Sequence, residues 1–146
     1  MRYTLLTIGR ARGEHAQLYA DYAKRMTSPL TLKELEIKPA TAAKESAALL
    51  AAIPDGAIVV ACDERGKNMG SLALASKIKS WQDEGARDLV FILGGSDGHT
   101  DELRKRANLL LSFGQLTWPH MLARIMLIEQ IYRCQQINAG HPYHRE

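Results

Sequence analysis

Two short runs of consecutive apolar residues constrain the fold of this chain more than any other feature. The runs are Ala57–Cys62 and Leu89–Leu93, and each precedes turn residues and then a stretch of helical composition. A strand that is apolar on both faces has to be covered on both faces, which is the situation of a central strand in a parallel sheet. The sequence therefore predicts an α/β fold, a parallel sheet with helices on both faces.

The same alternation of strand and helix extends along the whole chain. Further strands are predicted at Tyr3–Ile8 and Leu32–Ile37. Helices are predicted over five stretches, namely Glu14–Met26, Thr41–Ile53, Ser71–Glu84, Asp101–Asn108 and Pro119–Asn138. No repeat or long linker interrupts the 146 residues, so we expect one domain over residues 1–146.

Composition limits the kinds of partner and the cellular compartment that we expect for this chain. The formal net charge of +3 permits a phosphate-bearing partner without requiring one. The two cysteines, Cys62 and Cys134, have no metal-type spacing, which favours a reducing cytoplasm and no metal site. Because no apolar run approaches membrane-spanning length, we expect a cytoplasmic protein with no membrane contact.

Three loops are predicted at the edge of the sheet where parallel α/β folds bind ligands. They are Asp63–Gly70, Gly94–Gly98 and Ser112–Pro119. The glycines of the second loop would let its backbone approach a ligand, although its spacing matches neither a dinucleotide-binding fingerprint nor a P-loop. In the first loop, Arg65 and Lys67 are candidates for contact with a phosphate backbone, while a solvated connection is the simpler interpretation.

The last predicted helix, Pro119–Asn138, carries apolar residues around most of its circumference. A helix of this kind is buried on most sides, and in a chain this small we expect a second copy to supply part of the cover. Within it, Glu129 and Arg133 stand four residues apart and either form a structural pair or serve a site. The segment His141–Glu146 then concentrates two imidazoles, a phenol and a guanidinium, a composition typical of a functional site.

Together these motifs resemble the ribosomal RNA large subunit methyltransferase H family of the SPOUT class. The matching segments are Gly94–Gly98, Ser112–His120, Glu129–Arg133 and His141–His144, and the resemblance covers essentially the whole chain. It implies a SPOUT-type parallel sheet with a C-terminal trefoil knot, and a homodimer. It also implies transfer of a methyl group from S-adenosyl-L-methionine to N3 of a pseudouridine in 23S rRNA within the assembled ribosome.

The resemblance further implies which residues form the site. Cofactor binding maps onto Cys62, Gly94, Gly95, Phe113, Gly114, Gln115, Leu116, Thr117 and Trp118. Substrate handling maps onto His120, Arg124, Tyr143, His144 and Arg145. The chain departs from the family pattern at Cys62, Gly114 and Trp118, changes that reshape the pocket wall but remove no backbone donor. Because the tail follows the predicted dimer helix, we expect the tail of one protomer to serve the pocket of the other.

The chemistry of the reaction assigns roles to the tail only in outline. Methyl transfer from a sulfonium depends on alignment, and the target imide has to lose its N–H proton. His144 or Tyr143 is a candidate proton acceptor, and Arg145 or Arg124 a candidate for stabilising the resulting charge. Two alternatives stay open: a non-catalytic ribosome-binding dimer of the same fold, and a flavodoxin-like protein. Intact glycine loops argue against the first, and the lack of hydroxyl residues in Gly9–Gly13 argues against the second.

Overall fold

The computed structural model describes residues 1–145, in which five strands alternate with five helices. The last residue of the predicted terminal segment, Glu146, lies outside this range. The strands are β1 (Arg2–Ile8), β2 (Leu30–Leu35), β3 (Ile58–Asn68), β4 (Asp88–Leu93) and β5 (Leu109–Ser112). The helices are α1 (Gly13–Arg25), α2 (Ala42–Ala51), α3 (Ser71–Asp83), α4 (Asp101–Arg106) and α5 (His120–Asn138).

All five strands pair in parallel, in the order β2-β1-β4-β3-β5. Helices α1, α3 and α5 cover one face of the sheet, while α2 and α4 cover the other. The inner strands are apolar on both faces, since neighbouring residues such as Phe91 and Ile92 are fully buried in opposite halves of the core. The predicted α/β class and its two central strands are therefore confirmed.

The third strand is longer than predicted, and its continuation corrects the prediction of a loop at Asp63–Gly70. After Cys62 the register with β5 shifts, so that Cys62 and Lys67 both lie opposite Leu111. The four residues between them form an irregularity in the strand rather than a free connection. Gly66 is required there, because a Cβ at this position would lie 2.6 Å from the Leu110 carbonyl. Because residues 63–68 are mostly charged or polar, this part of the strand shows no apolar pattern in the sequence.

The fifth strand was not predicted, and the start of α5 differs from expectation. With four residues, β5 is too short to show a periodicity, and it is recognised only through its pairing with β3. Helix α5 begins at His120, one residue later than predicted, with Pro119 as its N-cap residue and no side-chain cap. Pro119 has a ψ of 137°, so its backbone is still extended and the helical conformation begins at the next residue.

Helix α5 packs against the sheet, α1 and α3, and yet part of its apolar surface is left uncovered. Leu127, Ile128 and Ile131 are fully buried, whereas Leu122 is 45% exposed and Ile125 is half-buried. The helix thus presents an apolar strip outward, as expected of a surface that a second element would cover. Within residues 1–145, no helix has both the length and the apolar character needed to cross a membrane.

Candidate active site

A cleft opens beyond the carboxyl ends of β4 and β5, beside the irregularity in β3. It consists of two adjoining cavities of about 510 and 480 Å³, which share Cys62, Leu93 and Trp118 among their walls. Cavities of this size hold small cofactors. All nine residues predicted to bind the cofactor line the cleft: Cys62, Gly94, Gly95, Phe113, Gly114, Gln115, Leu116, Thr117 and Trp118.

The glycines at the end of β4 are required by the side chains that lie behind them. A Cβ on Gly94 would lie 2.7 Å from the His99 ring, and a Cβ on Gly95 would lie 2.7 Å from the Glu45 carboxylate. Neither glycine has a positive φ, whereas Gly98 closes the turn at φ 78°. The loop is therefore pressed against buried polar groups on one side and exposes its backbone to the cleft on the other.

The two groups behind the loop, His99 and Glu45, were not predicted from the sequence. His99 Nδ1 and Glu45 Oε1 are buried without a hydrogen-bond partner among the described residues. Burial lowers the pKa of His99, and the Asp63 charge only partly opposes this effect. Burial also raises the pKa of Glu45, with a further rise from the charge of Asp97. The position of His99 directly after the glycine turn was the one feature of the sequence that could have indicated these buried groups.

A charged pair forms the floor of the cleft below the β3 irregularity. Asp63 is almost completely buried, accepts from the Arg65 backbone N–H at 2.8 Å, and pairs with Arg104 Nε at 2.7 Å. Burial alone would raise the pKa of Asp63, but these hydrogen bonds outweigh burial and lower it. Arg104 also contacts Asp101 at 3.0 Å. Asp63 is thereby held ionised and fully paired, and it fixes the wall that carries Cys62 and Arg65.

The segment from Phe113 to Trp118 closes the other side of the cleft as a compact loop. The Trp118 indole N–H donates to the Phe113 carbonyl at 3.3 Å, and Ser112 Oγ accepts from the Gly114 backbone N–H at 3.1 Å. Gly114 has φ 104°, a conformation that side chains other than glycine rarely adopt. The loop is stabilised by its own contacts, and all six of its residues line the cavity.

Cys62 lines both cavities as a half-buried thiol. Burial raises its pKa to about 12, and the adjacent Asp63 charge adds to the rise. The thiol is therefore protonated at neutral pH and serves as a small apolar wall rather than as a nucleophile. No cluster of three metal-ligating side chains occurs anywhere in residues 1–145.

His120 and Arg124 lie at the start of α5, and only His120 reaches the cleft. Its Nε2 lies 3.3 Å from the Ile8 carbonyl, and burial, followed by the Arg124 charge, lowers its pKa. Arg124 is fully buried, pairs with Glu34 at 2.8 Å, and donates to the carbonyls of Ile8 and Gly9 at 3.0 and 2.9 Å. The structure thus places Arg124 beneath the β1–α1 loop and away from the cavity wall.

The tail packs against the middle of α5 in its own chain. Glu129 Oε1 accepts from the Tyr143 phenol at 2.9 Å and from Arg133 Nη2 at 2.7 Å. Arg133 Nη1 lies 3.0 Å from His144 Nδ1, and its guanidinium stacks over the Tyr143 ring at 4.9 Å. The predicted pairing of Glu129 with Arg133 is therefore observed, together with the two tail residues. Arg145 is exposed.

The tail cluster is distinct from the cofactor cleft of the same chain. No residue of the described tail lines either cavity of the cleft. Glu129 follows His120 by nine residues along α5, which corresponds to about 13 Å at the helical rise. A third cavity of about 450 Å³, largely apolar, is lined by Glu129 and adjoins the cleft, with which it shares Leu111, Ser112 and Phe113. Within one chain, the described tail residues therefore form a cluster outside the walls of the cleft.

Hydrogen bonding fixes the chemical character of the tail residues. Burial and the hydrogen bond to Glu129 raise the pKa of Tyr143 to about 12, so its phenol stays protonated and donates. A guanidinium can only donate, and His144 Nδ1 therefore accepts from Arg133. The ring proton of His144 then resides on Nε2, which can act as a donor.

Comparison with known proteins agrees with this architecture. A family model described as predicted SPOUT methyltransferase matches residues 1–144. The ribosomal RNA large subunit methyltransferase H of Rhodospirillum centenum is 52% identical over 99% of both chains, and that of Paracoccus denitrificans is 47% identical over 100% of both.

A solved structure shares the fold at much lower sequence identity. A probable methylase family protein from Haemophilus influenzae superposes with a TM-score of 0.60 and 12% identity, over 99% of this chain and 70% of that chain. At this identity the similarity concerns the fold alone. Because the family model and the full-length relatives both cover essentially all of the sequence, the chain belongs to the ribosomal RNA large subunit methyltransferase H family of SPOUT methyltransferases.

Proposed function

We propose that this protein transfers a methyl group from S-adenosyl-L-methionine to N3 of a pseudouridine in 23S rRNA of the assembled ribosome, in the cytoplasm. The observation that carries the proposal is the cleft at the carboxyl edge of the sheet, where nine predicted cofactor residues from three separate segments line one cavity system. The relatives are named as methyltransferases of large-subunit ribosomal RNA, which supplies the class of substrate.

The cleft suits a cofactor that is held mainly by main-chain groups. Gly94 and Gly95 expose backbone toward the cavity because His99 and Glu45 close the space behind them. Gly114 keeps the opposite wall in a conformation that presents backbone without a side chain. S-adenosyl-L-methionine supplies an activated methyl group when bound, and the residues around it contribute orientation.

The tail residues are hydrogen-bond donors, which changes the role that the sequence left open for them. The Tyr143 phenol is engaged with Glu129, and Nδ1 of His144 is engaged with Arg133. Neither group is free to accept the imide proton. We assign His144 Nε2–H and the Arg145 guanidinium to the carbonyl oxygens beside N3, where they stabilise the negative charge that forms when the proton leaves to water.

A complete site then requires two chains. The tail lies against the middle of its own α5, away from its own cleft, while α5 presents an uncovered apolar strip around Leu122 and Ile125. A second copy packed on this strip would bury it and bring the tail of each protomer to the cleft of the other. We also propose that the C-terminal part of the chain forms the trefoil knot of the SPOUT class. Sedimentation at micromolar concentration should give twice the chain mass of 16.2 kDa.

The proposed reaction is tested by transfer of a radiolabelled methyl group to three substrates, namely assembled ribosomes, isolated large subunits and deproteinised rRNA. The proposal predicts transfer to 23S rRNA in assembled ribosomes and much less to the other two. Calorimetry should show binding of S-adenosyl-L-methionine and none of a flavin. Tight ribosome binding without methyl transfer would contradict the proposal and favour the non-catalytic dimer.

A further inference from the structure

The loop between β1 and α1, residues 9–12, lies next to the cofactor cleft. Strands β1 and β4 pair in parallel with Thr7 opposite Leu93, so the loop leaves the sheet beside Gly94. His120 joins the two features, because it lines the cleft and its Nε2 lies 3.3 Å from the Ile8 carbonyl. The loop therefore extends the rim of the cleft on the side of β1.

This loop is held from beneath by an ion pair whose arginine is fully buried. Arg124 donates to the carbonyls of Ile8 and Gly9, while Glu34 pairs with Arg124 and accepts from the Ala11 backbone N–H. Removing such a pair from water is costly, and apolar residues in its place often give a fold of equal stability. This pair instead satisfies backbone groups of Ile8, Gly9 and Ala11, and it thereby fixes the conformation of the loop.

The loop directs two arginines away from this support. Arg10 and Arg12 are exposed, and neither forms an ion pair with any of the residues that the structure describes. Across the cleft, Arg65 lines both cavities and is exposed as well. Arg10 and Arg12 thus lie on the loop that leaves the sheet beside Gly94, while Arg65 lies in the cleft wall. Within residues 1–145 none of the three guanidinium groups forms an ion pair. Guanidinium groups bind phosphate oxygens in bidentate geometry.

We propose that Arg10 and Arg12 bind the phosphodiester backbone of the RNA on one side of the target nucleotide, opposite Arg65, and that Arg124 and Glu34 are positioning residues for this contact. The inference rests on the proposed function, because it takes RNA as the polymer that enters the cleft. It assigns Arg124 a role through the loop, in place of direct contact with the reacting base.

The phosphate contacts are tested with the variant Arg10→Ala/Arg12→Ala and the control Arg87→Ala. Arg87 is an exposed arginine at the opposite edge of the sheet, just before β4. Binding to ribosomes is measured between 50 and 200 mM salt, with cofactor affinity and thermal stability in parallel. Losing two single-strand phosphate contacts should weaken binding about tenfold and reduce the slope of log K against log salt by about 1.4.

Cofactor affinity and stability of the double variant should equal those of the wild type, and Arg87→Ala should match the wild type throughout. Arg10→Lys/Arg12→Lys should keep most of the salt slope, because the charges remain. An unchanged slope and affinity in the alanine variant would overturn the proposal. If the wild type binds ribosomes with the full slope but transfers no methyl group, the proposed function fails while the phosphate contact stands.

The positioning role is tested at Glu34, which lies outside the cleft. Glu34→Gln keeps an acceptor oxygen for the loop and Glu34→Ala removes it, so the KM for ribosomes should rise in the order wild type, Gln, Ala. The salt slope should fall in the same order while cofactor affinity stays constant. A purely structural role would lower stability and leave the salt slope unchanged, and that result would contradict the assignment.

Discussion

Gly94 provides the sharpest test of how the cofactor loop is built. In Gly94→Ala the new Cβ would lie 2.7 Å from Cε1 of His99, whereas ordinary contacts begin at 3.4 Å, so the ring or the loop has to move by at least about 0.7 Å. His99 is only 6% exposed, so a movement of its ring disturbs the groups packed around it. Overpacking of this kind should lower the free energy of unfolding by about 1–3 kcal/mol.

The same geometry means that a larger side chain at Gly94 disturbs the fold as well as the pocket. From the sequence alone, Gly94→Val would be expected to block cofactor binding and leave the fold intact. In the structure the valine would clash with the same buried His99 ring. The measurement is therefore a double-mutant cycle by chemical denaturation, with Gly94→Ala, His99→Ala and the double variant. Removal of the ring should make Gly94→Ala nearly neutral, with a coupling of at least about 1 kcal/mol.

A matched control is available at the N-cap of α3. Gly70 has φ −73° and nothing within 4 Å of an added Cβ, so Gly70→Ser should leave stability nearly unchanged. Cofactor affinity should fall in Gly94→Ala and recover in part in the double variant. Strictly additive effects of the two substitutions, or a Gly94→Ala variant as stable as the control, would refute the account of the loop.

Three further predictions concern the thiols, the cleft floor and the shared site. Because the pKa values of Cys62 and Cys134 are both raised to about 12, the native protein should resist iodoacetamide at pH 8.5, as measured by mass spectrometry. Rapid labelling of Cys62 would contradict its raised pKa. Because the pKa of Asp63 is lowered from its ordinary value of 3.8, ionised Asp63 stabilises the fold at pH values above 3.8, and this stabilisation is lost as the pH falls through the pKa of the folded state. Asp63→Asn should therefore be less stable than the wild type at pH 7, and its free energy of unfolding should fall less steeply at acid pH. Parallel curves of stability against pH for the two proteins would contradict this. Mixing Arg145→Ala chains with Gly114→Val chains should restore activity that neither homodimer has, and heterodimers without recovery would place tail and cleft in one chain.

The parts of the fold that the sequence predicted are those with a strong local pattern. Strand β4 is apolar in five consecutive buried positions, and α5 carries an apolar surface over nineteen residues. The second half of β3 could not be predicted, because residues 63–68 are mostly charged or polar and pair only through a shift in register with β5. Such pairing depends on a partner more than forty residues away in the chain, and no local pattern encodes it.

The residues of the candidate site also fall into those that the sequence predicted and those that it did not. The nine cofactor positions came from family resemblance, and the structure brings all of them to one cleft. The groups behind the cleft were missed, since Glu45 approaches Gly95 from a helix fifty residues earlier. Arg124 was expected at the substrate, but its side chain is buried and pairs with Glu34, ninety residues away in the chain. Sequence spacing predicts neighbours on one helix and does not predict contacts of this kind.

The central claim is that the methyl group is attached to N3 of a pseudouridine, and nucleoside mass spectrometry tests it most directly. Ribosomes that carry pseudouridine at the target and ribosomes that carry unmodified uridine are incubated with the protein and isotopically labelled S-adenosyl-L-methionine. After digestion of the 23S rRNA, the account predicts labelled N3-methylpseudouridine from the first sample, at up to one per ribosome, and far less labelled nucleoside from the second. Label on a different nucleoside, or equal label in both samples, would contradict it.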